Sequence, residues 1–297
     1  MEALQISQDT IVKKIEELPS LPTIVYELSR AINDPMSSTK QIEAIMSNDV
    51  SMTTKVLKLA NSAYYAIPGG VTNLARAIAY IGFDTINQLV LSSSIIEALE
   101  VKGPSAFDVN EFWKHSIGVA IASETIAKRI HHPAPSDLFT CGLVHDMGKI
   151  AILLTDAQYL TDLSRWAIEK NMTLDEAERE LKTLRHTHVG MLLAEKWLLP
   201  KQIQAVIKYH HQKDPRQRGG LTDDQNKFVD IVLLANLLIH ALKFGNSGHK
   251  KILGAPQELM SRLTIDPQKD FKPLLKEIKV SLDRAQDFIK LIGGSKQ

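Results

Sequence analysis

The sequence predicts an all-α protein, and three observations support that prediction. Apolar residues recur at helical spacing through nearly all of the 297 residues. No segment alternates apolar and polar residues strictly enough to indicate a strand. Prolines, glycines and short polar residues fall at the ends of the periodic segments, where helices begin and stop. These features together favour a helical fold for the whole chain.

The first hundred residues predict a group of short helices. Residues 9–18 have helical apolar spacing and end at Pro19. Residues 21–34 carry Pro22 in a first-turn position and stop before Pro35. The remaining predicted helices of this half cover residues 37–49, 51–66, 72–83 and 85–99.

A boundary is predicted within residues 100–108, where Gly103 and Pro104 interrupt the helical pattern. It divides the chain into an N-terminal helical subdomain, 1–103, and a second helical subdomain, 104–297. His131 and His132 precede a proline in a loop and are interpreted as surface residues. The predicted helices of the second half cover residues 110–130, 138–155, 156–170, 173–199, 200–211, 227–245, 255–263 and 273–292.

Composition narrows the class of protein. The formal net charge of +1 gives no reason to expect binding to nucleic acid or to an anionic membrane. The N-terminal 20 residues lack the apolar run of a signal peptide, and the single cysteine excludes an intrachain disulfide. The longest apolar stretch, residues 231–242, contains Asn236 and His240 and predicts a buried helix rather than a membrane span. We therefore expect a cytoplasmic protein.

The second half carries histidine, acidic and lysine side chains that could gather around one site. Glu111 and His115 are four residues apart, so they share a helix face. His145 and Asp146 are adjacent, and Lys149 follows about one helical turn later. The other members of the set are His186, His188, His210 and His211.

Two interpretations of this set are open. Imidazoles and carboxylates are preferred metal ligands, and helices can project them into a shared core. A metal held there would polarise a phosphoryl oxygen and activate water for phosphoester hydrolysis, with Lys149 steadying the phosphate. His186 and His188 cannot both be ligands in a helix, because two positions differ by about 200°. The alternative is a set of hydrogen-bonded core residues and solvated surface pairs, as such residues usually are.

The flanking motifs resemble the HDOD family of bacterial signalling proteins, a branch of the HD superfamily of metal-dependent phosphohydrolases. The segment GLVHDMGK, residues 142–149, matches the central motif of that superfamily. Further HDOD-like stretches are FWKHS, HTHVGMLLAEKWLLP and AVIKYHH, with LPSLPTIVYELSRAIND and SNDVSMTTKVLKLANSAYYA in the first half. The resemblance covers one continuous unit of about residues 15–245.

The resemblance implies an N-terminal helical bundle packed on an HD-domain-like helical bundle. It also implies a site for one or two divalent or transition metal ions, such as Fe, Mn, Ni, Zn or Mg. His115, His145 and Asp146 match the HD ligands, and Asp146 and Lys149 are the predicted catalytic residues. Further ligands resemble those of the related HD-GYP branch, which hydrolyses cyclic di-GMP; they are Glu111, His186, His210 and His211.

The sequence departs from the family pattern at two places. The last HD ligand is normally an aspartate, whereas the matching position here is Asn236. Its amide oxygen can still bind a metal, but it brings no negative charge. The Gly-Tyr-Pro motif expected after His210 and His211 is missing from the segment HHQKDPRQRGG. This departure argues against ordinary cyclic di-GMP hydrolysis.

Three functional hypotheses follow. The first is an HDOD-type signal-transduction module that keeps a metal-binding site, binds a nucleotide or phosphate there, and has little or no catalytic activity. Besides the nucleotide or phosphate, such a module would bind a signalling protein through its N-terminal helices. The second is a metal-dependent phosphohydrolase, either a phosphodiesterase or a nucleotide phosphatase. The third is a metal-free helical interaction scaffold. Whether the protein is an enzyme is open at this stage.

Overall fold

The computed structural model describes residues 8–32, 34 and 36–292, and it confirms the all-α prediction. Within these residues every regular element is a helix. Residues 1–7 lie outside the described ranges; they belong to the N-terminal stretch that lacks the apolar run of a signal peptide. Asn33 and Pro35, at the end of a predicted helix, also lie outside these ranges.

The α-helices follow one another along the chain with short connections. They are α1 (Gln8–Glu17), α2 (Thr23–Ile32), α3 (Thr39–Ser47), α4 (Val50–Ala60), α5 (Leu74–Ala98), α6 (Val109–Arg129), α7 (Pro135–Val144), α8 (Met147–Thr155), α9 (Ala157–Glu169), α10 (Leu174–Glu180), α11 (His186–Lys196), α12 (Lys201–Tyr209), α13 (Asp223–Ala241), α14 (Gln257–Arg262), α15 (Phe271–Arg284) and α16 (Gln286–Ile292). A 3₁₀ helix at Pro215–Gln217 follows α12.

The chain forms two compact units. Unit 1 comprises Met1–Pro19 and Leu99–Ile278, and unit 2 comprises Ser20–Ala98 and Lys279–Gln297. The predicted division at residue 103 lies near the Ala98–Leu99 boundary, but the two chain ends are assigned differently. Helix α1 belongs to unit 1 because it packs on α8 and α11. The C-terminal helix α16 belongs to unit 2 because it packs on α4.

Unit 2 is built from short helices, as the sequence predicts. Helix α2 packs on α3 and α5, and α4 packs on α5. Gly82 interrupts α5 with φ 82° and ψ 165°, which is where the sequence predicts one helix to end and another to begin. The ring of Phe288 on α16 lies 5.5 Å from the ring of Tyr64, and this contact anchors α16 to the unit.

Unit 1 is organised around α6, which packs on α7 and α13. Gly142 of α7 permits the closest approach. A Cβ atom there would lie 2.7 Å from Cα of Ala120, a distance at which the two backbones would have to separate. The three helices therefore bring His115, the segment after Gly142 and Asn236 into the interior of one unit.

The structure corrects several predicted helix boundaries. The predicted helix at 138–155 is two helices, because the chain turns at His145 and Asp146. The predicted helix at 173–199 is also two helices, since α10 stops after Glu180 and Lys182 adopts a left-handed φ of 49°. Helix α13 ends at Ala241, earlier than the predicted end at Gly245.

Two predictions about burial have different outcomes. The apolar stretch 231–242 lies in α13 and is buried through Ile239, as predicted. The prediction that His132 is a surface residue was wrong. Its side chain is 6% exposed and packs edge-on against the ring of Phe228. The segment Pro135–Thr155 is long and apolar enough to cross a membrane. However, 89% of its most apolar 18-residue stretch is buried inside the protein, so the segment forms part of the core.

Candidate metal centre

The centre of the candidate site is the turn between α7 and α8, which carries His145 and Asp146. Both residues are fully buried. His145 donates its Nδ1–H to the carbonyl oxygen of Gly142 at 2.7 Å. This bond fixes the tautomer, so the Nε2 lone pair is free to face the site. Nε2 of His145 lies 3.3 Å from Oδ2 of Asp146.

The two oxygens of the Asp146 carboxylate face different partners. Oδ2 accepts a hydrogen bond of 2.6 Å from the Lys149 ammonium. Oδ1 lies 3.3 Å from Nε2 of His186 and 3.2 Å from Nε2 of His210. Burial by itself would raise the pKa of Asp146, but the charge of Lys149 and the contacts with His145 hold that pKa well below its usual value. The carboxylate is therefore an anion inside the protein.

His186 is oriented by Glu178, a buried carboxylate that the sequence analysis did not identify. The Nδ1–H of His186 donates to Glu178 at 2.8 and 2.9 Å, and its backbone N–H donates to the same carboxylate at 2.9 Å. Burial lowers the pKa of His186, but Glu178 and Asp146 outweigh it and raise that pKa to about 9. A carboxylate behind an imidazole is a common support for a metal-binding histidine.

His210 and His211 follow the last turn of α12. The Nδ1–H of His210 donates to the carbonyl oxygens of Val206 and Ile207, at 3.2 and 3.0 Å, which leaves Nε2 as the free nitrogen. Burial lowers the pKa of His210 to about 4 and holds that of His211 well below its usual value. Nε2 of His211 lies 3.1 Å from Nε2 of His186.

A second group of imidazoles lies beside this cluster. His115 on α6 faces Asn236 on α13, with 3.0 Å between Nε2 and the amide oxygen Oδ1. The His115 ring also packs at 4.3 Å on the ring of His240, which packs at 4.3 Å on that of His249. Neither His240 nor His249 is among the site residues predicted from the sequence. The four-residue spacing of Asn236 and His240 on α13 was a usable signal, because it puts both on one helix face.

Glu111, His188 and Lys149 differ from the other predicted site residues in their placement. Glu111 lies near the start of α6, where its side chain is 41% exposed and its carboxylate pairs with Lys114 at 3.1 Å. It belongs to neither group of converging donor atoms. His188 is exposed. Lys149 is 1% exposed and, besides Asp146, donates to the backbone and hydroxyl oxygens of Ser247 at 3.1 and 3.3 Å.

The residues present fit a metal ion. One donor atom from each of four residues lies within 4.8 Å of the others, and these residues are Asp146, His186, His210 and His211. A second such group is formed by His115, His145 and Asp146. Three atoms facing the site are buried and have no hydrogen-bond partner among the described residues: Nε2 of His145, Nε2 of His210 and Oδ1 of Asp146. Leaving such atoms unpaired costs free energy that coordination to a cation would recover.

Fold and site together define a helical protein with a buried cluster of histidines around one aspartate. The sequence profile of the HDOD domain matches residues 18–213, and the chain therefore belongs to the HDOD family. The match contains the converging side chains His115, His145, Asp146, His186, His210 and His211, but it stops before Asn236.

Similar proteins come from several bacteria. An "Uncharacterized protein" of Treponema pallidum is 23% identical over 278 residues, which are 93% of this chain and 52% of that protein. YuxH of Bacillus subtilis, also uncharacterized, is 25% identical over 118 residues, 40% of this chain and 28% of that protein. The chain thus spans about half or less of the length of these two relatives.

Solved structures share the fold. An HDOD domain protein of unknown function from Geobacter sulfurreducens aligns with a TM-score of 0.77 at 23% identity, covering 96% of this chain and 98% of that one. Two proteins of Shewanella amazonensis SB2B also align. The one named "Putative phosphohydrolase" has a TM-score of 0.71 at 23% identity and 95% and 98% coverage. The one named "Putative metal-dependent phosphohydrolase" has a TM-score of 0.57 at 21% identity and 91% and 95% coverage.

Proposed function

We propose that the protein is a regulatory signal-transduction module of the HDOD type that holds one metal ion and has little or no catalytic activity. One observation carries the proposal. Nε2 of His186, the unpaired Nε2 of His210 and the unpaired Oδ1 of Asp146 converge in the interior, and His211 completes the group. Three imidazoles and a carboxylate are typical ligands of Zn²⁺, Fe²⁺ and related transition ions.

The charges of the site favour one ion over two. The Lys149 ammonium donates to Oδ2 of Asp146 at 2.6 Å, so its positive charge lies beside that oxygen and disfavours a second cation there. The second group, around His115 and His145, would normally gain an anionic ligand at position 236. The neutral amide of Asn236 offers only a dipole there, so the second group has less charge with which to hold a cation.

The position of Lys149 argues for binding rather than rapid hydrolysis. A bound divalent ion supplies Lewis acidity, which polarises a phosphoryl oxygen and lowers the pKa of bound water. For hydrolysis inside the cluster, this chain would have to add a cation from the HD motif that reaches the phosphate there. The Lys149 ammonium is instead buried between Asp146 and Ser247. Its charge serves to hold the carboxylate ionised and in position.

Partners and location are part of the same proposal. We place the protein in the cytoplasm, where its single cysteine stays reduced, with a signalling protein contacting unit 2 and a nucleotide or phosphate as the small ligand. The signal would consist of a change in that protein contact when the metal site is loaded or its ligand binds. Because the chain spans about half the length of its longer relative, such a partner could also be a further domain in a related protein.

Metal content of the untagged protein tests the proposal directly. We expect about one equivalent of a transition metal in the purified or reconstituted protein and none in Asp146→Ala or His210→Ala. His188→Ala is the matched control, since it removes an exposed histidine from α11 and should keep the metal. If the unaltered protein takes up none of Fe, Mn, Ni, Zn or Mg after reconstitution, the metal-free scaffold hypothesis replaces this one.

The second candidate is a metal-dependent phosphohydrolase, which the intact set of converging histidines favours. Turnover of nucleotides and of a general phosphodiester substrate by the metal-loaded protein separates the two candidates. Our proposal predicts rates far below the ordinary enzyme range of about 1–10³ s⁻¹, and a rate inside that range would overturn it. We expect Asn236→Asp to bind a second metal equivalent, because it restores a charged ligand beside His115.

A further inference from the structure

A groove on the surface of unit 1 lies next to the metal centre and is so far without a role. Its volume is about 990 Å³, at the upper end of the range for small-molecule sites. It is lined by residues of α10, α11, α12 and the connections that follow α10 and α12. We call it the basic groove, after its cationic residues Arg179, Lys182, Arg185 and Lys208.

The basic groove and the metal centre are built from the same short segments. Arg185 and Thr187 line the groove on either side of His186, whose side chain enters the cluster. Tyr209 and Gln212 line it on either side of the adjacent ligands His210 and His211. His211 is the least buried member of its ligand group. A molecule in the groove would therefore lie along the helices that position the metal ligands.

The groove carries more positive charge than its surroundings neutralise. Asp175 pairs with both Arg179, at 2.9 Å, and Arg185, at 2.6 Å, so one carboxylate serves two guanidinium groups. Lys182 and Lys208 are exposed, and neither ammonium pairs with a carboxylate among the residues that the structure describes. Glu195 contributes the opposing charge within the lining. Clustered ammonium and guanidinium groups favour phosphate, for which they supply charge-assisted hydrogen bonds.

Several of the remaining lining residues of the groove are apolar or aromatic and favour a ligand that carries more than a phosphate group. Leu184, Met191 and Leu192 contribute apolar surface, and the Tyr209 ring has the Lys208 ammonium 5.1 Å from its centroid. Apolar and aromatic side chains beside a few placed cations are the usual lining for a ligand with a planar ring and charged groups.

We infer that the basic groove binds a nucleotide with two or more phosphates, with its phosphates on Lys182, Lys208 and the arginine pair and its base on the apolar wall. The inference rests on the proposed function, because it supplies the small ligand of that module. It also assigns specificity to residues outside the metal cluster. A single phosphate would leave most of the groove and its apolar wall without contacts.

Calorimetric titration with GTP and ATP tests the inference, on metal-loaded and metal-free protein and at two salt concentrations. We expect binding of at least one of them, weaker at high salt. In Lys182→Gln/Lys208→Gln we expect the dissociation constant to rise about tenfold, the effect of losing two exposed ion pairs. The matched control is Lys272→Gln/Lys276→Gln, which removes two exposed lysines of unit 1 that do not line the groove and should change binding less than about twofold.

Several results would overturn the inference. They are no binding of either nucleotide at 1 mM, equal losses in the groove and control variants, or tighter binding of inorganic phosphate or of a short single-stranded oligonucleotide. Metal content measured on the same samples keeps the two proposals apart. If the protein holds metal but binds neither GTP nor ATP, only the assignment of the basic groove to a nucleotide is contradicted. A protein that binds a nucleotide through Lys182 and Lys208 but never holds metal contradicts only the metal centre.

Discussion

Replacing Gly148 by alanine should destabilise the protein and empty its metal site, although helix propensity alone predicts the opposite. Gly148 lies in the first turn of α8, where alanine is intrinsically favoured over glycine by about 1 kcal/mol. In the folded protein a Cβ atom there would lie 1.9 Å from the carbonyl oxygen of His186 and 2.6 Å from the backbone nitrogen of Gly190. Both atoms are backbone, so no side-chain rotation can relieve the clash.

The size of the effect follows from these distances. Ordinary contact begins near 3.4 Å, so the carbonyl of His186 would have to move by about 1.5 Å. Overpacking in a core costs typically 1–3 kcal/mol, and we expect about 3 kcal/mol here because two helices must separate. The same displacement would pull His186 away from Oδ1 of Asp146, which it approaches to 3.3 Å. Loss of metal should therefore accompany loss of stability.

Urea unfolding followed by circular dichroism, together with metal analysis, measures both effects. Gly254→Ala is the control, since nothing lies within 4 Å of a Cβ atom at that position. Its free energy of unfolding should stay within about 0.5 kcal/mol of the original value. If Gly148→Ala unfolds at the same urea concentration as the unaltered protein and keeps its metal, the close contact of α8 and α11 does not hold the site together.

Three further changes test other parts of the site and fold. Glu178→Gln should weaken metal binding about 10–100-fold, because Glu178 orients His186. Glu195→Gln is the control and should leave metal affinity unchanged. Equal metal affinities of the two variants would contradict the prediction. Protonation of His210 alone should cost the metal-free protein about 3 kcal/mol of stability as the pH falls from 6.5 to 4. The pKa of His210 is near 6.5 in the unfolded chain and about 4 in the folded protein, so protonation stabilises the unfolded state over this range. His210→Gln should therefore reduce the loss of stability measured by urea unfolding. An unchanged loss in that variant would contradict the prediction. Lys196→Ala should cost about 1–3 kcal/mol in the same assay, because its ammonium caps three carbonyls at the end of α1; no change would mean that water replaces it.

The fold class and much of the candidate site could be predicted from local sequence patterns. Helical periodicity is a property of a few consecutive turns, so the all-α class and most helices could be predicted without tertiary information. The capping box of Thr173 and Glu176 is also local, and both of its hydrogen bonds are present in α10. His145 and Asp146 were predictable as a pair because they are adjacent and lie in a recognisable motif.

Contacts between side chains of different helices could not be predicted in this way. Glu178 supports His186 only because the chain turns back between α10 and α11, and that turn interrupts a pattern the sequence presents as one helix. The same limit explains Glu111, which has the right spacing from His115 but lies at the exposed start of α6. Spacing reports which face of a helix a residue occupies, not how far along that helix the neighbouring helices reach.

The sequence by itself determined an all-α chain of the HDOD type, with histidines and Asp146 available as ligands and a neutral Asn236 where an acid is expected. Only the tertiary structure decided which of these side chains meet. It turned the Nδ1 atoms of His145, His186 and His210 towards fixed acceptors, buried Lys149 against Asp146, and left a groove beside the cluster. The physical reason is that hydrogen-bond direction and burial depend on which helices pack together, and packing is decided by the whole chain rather than by any one segment.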